Sequence, residues 1–133
     1  MKTRTLLPAI LILILAACAS IRNVNTPVQS VELTPDDSLE YKLVVFDPRF
    51  SSFLATQPPA EFYSQSYYEN WNQQYVTVWN IRHQNPLRYG NFYQTRIDYN
   101  SNVDYGLELN YQLYNYFLFV EREYGIRLIR SRK

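Results

Sequence analysis

The chain of 133 residues carries one cysteine and one histidine. That excludes zinc sites built on several Cys and His side chains, and any disulfide within the chain. Its three glycines, Gly90, Gly106 and Gly125, are too sparse for a glycine-rich phosphate loop. Neither sign of charge dominates: 13 Lys and Arg stand against 12 Asp and Glu. The basic excess of a nucleic-acid binder is missing, and so is an acidic tail. Long apolar runs are missing as well. The longest, Leu6 to Leu15, is interrupted by Pro8. As a helix it would rise about 15 Å, half of the roughly 30 Å that a bilayer core demands. What is abundant is aromatic: 17% of the residues, including 13 Tyr. The length fits one domain with extensions.

The first residues read as an export signal. Lys2 and Arg4 give a positive start, the apolar stretch follows, and Ala16 and Ala17 are small. Leu15-Ala16-Ala17-Cys18 resembles the lipobox of bacterial lipoproteins at all four positions. The resemblance implies thioether attachment of diacylglycerol to Cys18 and cleavage just before it, with 1–17 as the signal peptide. Each buried lipid CH₂ contributes about 0.8 kcal/mol and stable anchoring takes two signals, a condition that two or three acyl chains meet. Loss of Lys2 and Arg4 lowers the basic count from 13 to 11 against 12 acids, so the mature chain is slightly acidic.

From Cys18 to Ser38 the chain has no aromatic residue and carries Pro27, Pro35 and many polar side chains. Such a segment cannot offset its ordering entropy and reads as a flexible tether, with an r.m.s. span of roughly 25 Å. Asp37-Ser38-Leu39 resembles the short motif at which Bacteroidota attach O-glycans to exported proteins, which implies Ser38 as a glycosylation site. The alternative is a turn that leads Ser38 into a strand.

Every aromatic residue lies between Tyr41 and Tyr124, which places the folded domain within 39–129 and leaves 130–133 as a basic tail. Leu39 to Phe46 is rich in β-formers and reads as a strand. Asp47-Pro48 stops it and starts a short helix over Arg49 to Ala55. Ser66-Tyr67-Tyr68-Glu69 fits a capping box, and Tyr68, Trp71, Tyr75, Val78, Trp79 and Arg82 follow at helical spacing until Asn85-Pro86. Tyr93, Thr95, Ile97 and Tyr99 alternate with polar residues and predict a second strand. A last helix runs from about Asp104 to Tyr124, with Leu109, Leu113, Tyr116, Phe117, Val120 and Tyr124 as its apolar stripe and Gly125 as its stop. The expected fold is α+β: a small antiparallel sheet of two or three strands, the third starting from Val31 or Ile126, covered by two long helices and one short helix. The aromatic stripes of the two long helices should face each other.

Candidate chemistry is thin. His83 ends a helix, where the dipole favours it in any case. Ser64 and Ser66 lie about five helical turns from it. Carboxylates remain as acid or base, among them Asp47, Glu69, Asp98, Asp104, Glu108, Glu121 and Glu123. Asp98-Tyr99-Asn100-Ser101-Asn102-Val103-Asp104 resembles the start of a calcium loop. However, Val103 stands where the turn glycine belongs and Leu109 where the twelfth-position carboxylate belongs. An Asx-turn with Asp104 as helix cap is the simpler reading. No catalytic, cofactor or metal residue is therefore assigned. Tyrosine offers a rigid amphipathic surface to peptides and glycans. Tyr67, Trp71, Tyr89, Tyr93, Tyr111 and Tyr114, from off-stripe or loop positions, are the expected exposed face.

Several segments together, among them Val45-Phe46-Asp47-Pro48, Tyr63-Ser64-Gln65-Ser66-Tyr67, Ile97-Asp98-Tyr99-Asn100 and Leu113-Tyr114-Asn115-Tyr116-Phe117, resemble a family of small uncharacterised Bacteroidota lipoproteins, a domain of unknown function. The resemblance covers about Leu39 to Tyr124 plus the lipobox and implies compartment and single-domain organisation. The expectation is a non-enzymatic lipoprotein that holds the membrane through its lipid and binds an envelope protein or glycan through its aromatic face. The alternative is a carboxylate-based hydrolase acting on glycan or peptidoglycan. The expected location is the outer membrane, facing the periplasm. Residues 19–24 lack the acidic run of surface-exported Bacteroidota lipoproteins, and Ala19 stands where an inner-membrane retention signal would have Asp.

Overall fold

The computed structural model describes residues 31–35 and 41–130. Cys18, Ser38, the signal peptide, most of the tether and the last three residues lie outside the described residues.

Two short strands come first. β1 (Val31–Pro35) pairs antiparallel with β2 (Tyr41–Val45), in a register that sets Val31 opposite Val45 and Leu33 opposite Leu43. The hairpin draws Val31–Pro35 out of the segment that composition reads as tether. Asp47 then stops β2: its Oδ1 accepts the backbone N–H of Arg49, the first residue of α1 (Arg49–Leu54). After Pro58-Pro59 comes a 3₁₀ turn, Ala60–Phe62, and then α2 (Gln65–His83). The cap of α2 is Ser64, whose side chain accepts from Tyr67 N at 3.2 Å. The helix thus starts two residues before the Ser66 box predicts. α3 (Pro86–Tyr89) and a second 3₁₀ turn, Gly90–Phe92, lead into an extended stretch, and α4 (Gly106–Glu123) closes the order. Gly125, at φ +63°, ends α4 in the left-handed region that glycine tolerates.

The α+β expectation is overturned. The molecule is mostly helical. The strand pairing among the described residues is the two-stranded β1–β2 ribbon, which lies at the side of α4 and does not form the expected sheet on which the helices pack. The predicted strand from Tyr93 to Tyr99 joins no ladder. Its alternation does sort its side chains: Tyr93 and Ile97 are buried while Gln94, Arg96 and Asp98 are exposed. Its backbone, however, is paired by side chains of α2. Trp79 Nε1 donates to Thr95 O at 2.8 Å. Asn80 Nδ2 donates to Ile97 O, and Ile97 N donates back to Asn80 Oδ1, both at 2.9 Å. His83 Nδ1 lies 2.7 Å from Tyr93 O, so Nδ1 carries the proton. A strand needs partners for its main chain; here a helix supplies them, and no sheet forms.

α4 is the centre of the molecule. Ten of its residues are buried, on nearly every side, instead of along the single stripe expected. α2 packs on one face of it, while α1 and β2 pack on others. Phe50 and Phe53 of α1 meet Phe119 edge-on and tilted, with centroids 5.6 and 5.5 Å away. The expected pairing of Tyr75 and Trp79 with Tyr116 and Phe117 is present. Tyr75 stacks on Phe117 at 4.8 Å, and fully buried Trp79 sits 5.9 Å from Tyr116 and 6.2 Å from Phe117.

The contacts also give the direction of the pair. Tyr68 touches Tyr111 and Tyr114, Tyr75 touches Phe117, and the Tyr75 hydroxyl reaches Glu121 at 3.4 Å. Numbers rise together along both helices, so α2 and α4 run parallel, joined by a crossover through residues 84–105. Parallel helices add their dipoles. Charges compensate: Asp104 and Glu108 stand where α4 starts, whereas Arg82, His83 and Arg122 fill the last turns.

Candidate functional site

The start of α2 gathers the most accessible aromatic surface. Pro58-Pro59 and the 3₁₀ turn bring the chain to Ser64, and Tyr63, just before that cap, packs on the first turns of α2. It stands edge-on to Tyr68 at 5.9 Å, the contact of a hydrophobic staple, and stacks on Tyr67 at 4.0 Å with 17° between planes. Phe62 meets Tyr63 edge-on at 4.7 Å, and Tyr67 leads on to Trp71 at 6.4 Å. The result is a row, Phe62–Tyr63–Tyr67–Trp71. Its first two rings are 60% and 40% exposed and its last two half-buried.

The row has a stiff base. Buried Tyr68 donates its hydroxyl to Ala60 O at 3.0 Å, and buried Tyr111 donates to Pro58 O at 2.8 Å. Tyr114, also buried, lies under Tyr67 at 5.9 Å. The tyrosines beneath therefore fix the connector that carries the rings above. Burial, and then Tyr114, raise the Tyr67 phenol above its ordinary range.

This redistributes the six residues expected to form an exposed face. Tyr67 and Trp71 belong to the row. Tyr93, Tyr111 and Tyr114 are 5%, 8% and 7% exposed and are core, a correction to the expected face. An off-stripe position does not expose a ring when the helix is surrounded. Tyr89 sits at the far end of α2, where Arg82 and Arg88 each lie 5.4 Å from its ring. Phe62 and Tyr63 were missed. The signal for them was in the sequence: two aromatics directly before a capping serine, on a connector opened by two prolines.

Of the acid–base candidates, Glu61 is exposed and Glu40 lies outside the described residues, while the seven named above are engaged by the fold. Asp47 binds Arg49 through both oxygens and accepts from the Tyr124 hydroxyl. The Arg49 guanidinium holds its carboxyl down at about 2. Glu121 accepts from Leu128 N at 3.0 Å and Ile129 N at 3.3 Å, pinning the C-terminal segment. Glu69 accepts from Gln65, Glu108 from Gln112, and Asp98 pairs with Arg96. Glu123 lies 3.4 Å from Arg122. In the 98–104 loop, Asn100 Oδ1 accepts from Asn102 N, an Asx-turn. Asp104 Oδ1 accepts from Gly106 N and Gln65 and lies below the ordinary carboxylate range, first from the Gly106 bond. Asp104 thus braces the residue that starts α4. No group of three or more His, Cys, Asp or Glu suited to a metal ion occurs among the described residues. No helix among them is long and apolar enough to cross a membrane.

A buried amide network lies between the helices. Asn72 Nδ2 donates to Asn110 O at 2.9 Å, Tyr99 donates its hydroxyl to Asn110 Oδ1 at 2.8 Å, and Asn110 Nδ2 donates to Gly106 O. Burial pushes the Tyr99 phenol up, and the Glu69 charge adds to it. The network ties the crossover to both helix starts.

The chain belongs to a family of unknown function, DUF6146, whose model matches residues 5–131. No curated protein and no solved structure matches it.

Proposed function

We propose that this protein is a Bacteroidota-type envelope lipoprotein, held by a diacylglyceryl thioether on Cys18 in the outer membrane and facing the periplasm. Its domain is a non-enzymatic binding module whose partner, an envelope protein or glycan, docks on the aromatic row. The observation that carries the binding reading is the Phe62–Tyr63–Tyr67–Trp71 row: exposed at one end and braced from below. Rigid aromatic rings lose little side-chain freedom on binding, which is why such surfaces recur in interfaces. The engagement of the carboxylates in caps and surface pairs favours this reading over hydrolysis. Support for the anchor is Leu15-Ala16-Ala17-Cys18, with the chain's single cysteine at the acylated place.

The test is affinity capture from membranes with wild-type protein and with Phe62→Ala/Tyr63→Ala, partners being read by mass spectrometry and by glycan analysis. A partner retained by wild type and lost by the double variant is expected. An identical set from both would overturn the assignment of the row.

A further inference from the structure

The opposite end of the α2–α4 pair carries a different surface. Both helices end there, and with them the negative ends of both dipoles. Three arginines gather around that end. Arg82 donates to Tyr93 Oη at 2.6 Å and to Arg127 O at 2.7 Å, and its guanidinium shares the Tyr89 ring with Arg88. Arg88 and Arg127 are exposed. The nearby acid Glu121 is turned onto the backbone N–H groups of Leu128 and Ile129. Arg88 belongs to α3, and the residue before it, Leu87, is 104% exposed, the most exposed large apolar side chain among the described residues. Ile81, in the last turn of α2, is 50% exposed. α3 is held from below: Asn85 Nδ2 donates to Ile81 O at 2.7 Å, and Pro86 fixes the first turn.

We infer that this end is a membrane-contact tip for an anionic phospholipid surface, with Leu87 entering the headgroup layer and Arg88 and Arg127 meeting lipid phosphates. A bare leucine on a short rigid turn costs free energy in water and gains it in the acyl boundary. Arginines beside it match phosphate in charge and geometry. Tyr89, half-buried with one polar end, has the amphipathic character of an interfacial ring. The charge complementarity selects an anionic bilayer over a neutral one, since each basic residue near an anionic leaflet strengthens binding about fivefold. The tip is separate from the aromatic row, which lies at the other end of α2, so the molecule can touch lipid and hold a partner at once.

The experiment uses the full chain as produced in a lipoprotein-processing host. A Leu87→Cys variant is labelled with an environment-sensitive fluorophore, and peptide mapping of the same sample reads the label at position 87 and the lipid on Cys18. Where mapping finds Cys18 unmodified, the Cys18→Ser form carries the label instead, so failure of the anchor and failure of the tip are read separately. The protein is reconstituted with, or added to, phosphatidylcholine vesicles with and without about 30 mol% phosphatidylglycerol, brominated in the acyl chains. Quenching at position 87 only in the anionic vesicles is expected. Arg88→Glu/Arg127→Glu should reduce it by an order of magnitude or more, and a label at exposed Asn102, at the other end, should stay unquenched. Both charge reversals are at exposed side chains, and circular dichroism confirms the fold. Equal quenching at 87 and 102, equal quenching in neutral vesicles, or no quenching at 87 would overturn the inference. A spectral shift at 87 without vesicles that grows with protein concentration would overturn it too, in favour of a second copy on this tip.

Discussion

Replacing Asn80 with alanine tests the claim that a helix side chain stands in for a missing strand. The Asn80 amide closes a two-bond ring with the backbone of Ile97, giving one bond and accepting one, both at 2.9 Å. Ile97 itself is 1% exposed, while Asn80 is half-buried. If water reached both orphaned groups fully, the loss would be the net worth of two hydrogen bonds, about 1–3 kcal/mol. If neither were reached, each group would carry a desolvation penalty of about 1–3 kcal/mol. The burial of Ile97 and the partial exposure of Asn80 place the expected cost between these limits, at about 2–3 kcal/mol. Asn80→Asp separates geometry from charge. It keeps an acceptor for Ile97 N–H and sets a carboxylate oxygen against Ile97 C=O, so it should be no more stable than Asn80→Ala although it is nearly isosteric. Urea unfolding followed by circular dichroism gives the global cost. Amide hydrogen exchange gives the local one: Ile97 should exchange at least about tenfold faster in Asn80→Ala, which is 1.4 kcal/mol. Unchanged Ile97 protection together with a loss below about 0.5 kcal/mol would refute the reasoning.

Trp79→Ala should cost about 3–5 kcal/mol in the same urea assay, because the indole is fully buried and its Nε1 serves Thr95. Stability should also have an acid limb from Asp47. Its folded-state carboxyl lies at about 2, below its ordinary value, so its contribution is present above about pH 4 and is lost as pH falls through about 2. Because Arg49 is more than half exposed, that contribution is about 1 kcal/mol after screening. Asp47→Asn should flatten thermal unfolding between pH 4 and 2 relative to wild type. Cys18→Ala should move the protein from the membrane to the soluble envelope fraction. Protease added to intact cells should leave the wild-type domain uncut, and its degradation there would overturn the periplasmic orientation.

Much of the fold was written in single residues, and the errors share one cause. Period-2 alternation set Tyr93, Thr95, Ile97 and Tyr99 on one side of an extended segment, but alternation sorts side chains by side and does not tell what pairs the backbone. A helix bearing Trp79, Asn80 and His83 can do what a neighbouring strand does. The meeting of α2 and α4 was legible because Trp79, Phe117 and Val120 have no polar atom or only one to satisfy. The all-round burial of α4 was not, since Tyr111, Asn115 and Asn110 look like surface until Pro58 O, Tyr111 O and Gly106 O are there to receive them. The same ambiguity misplaced the exposed face: a tyrosine hydroxyl marks a need for a hydrogen bond, which buried carbonyls meet as well as water does.

The central place of α4 governs how the chain acquires its shape. The ribbon, α1, the 3₁₀ turn before α2, and α2 itself all pack against this last helix. Without α4, Phe50 and Phe53 lose the Phe119 ring and Tyr75 loses Phe117, while Trp79 keeps only Phe92 and Tyr93 of the crossover, and the parallel pairing requires the whole 84–105 crossover to be laid down first. The core is therefore completed only once α4 is present, and completing it requires closing that long connection. A nascent chain stalled upstream of α4 should be cut by protease more readily than the full chain. The eighteen residues of α4 thus act as the part on which the rest of the core closes.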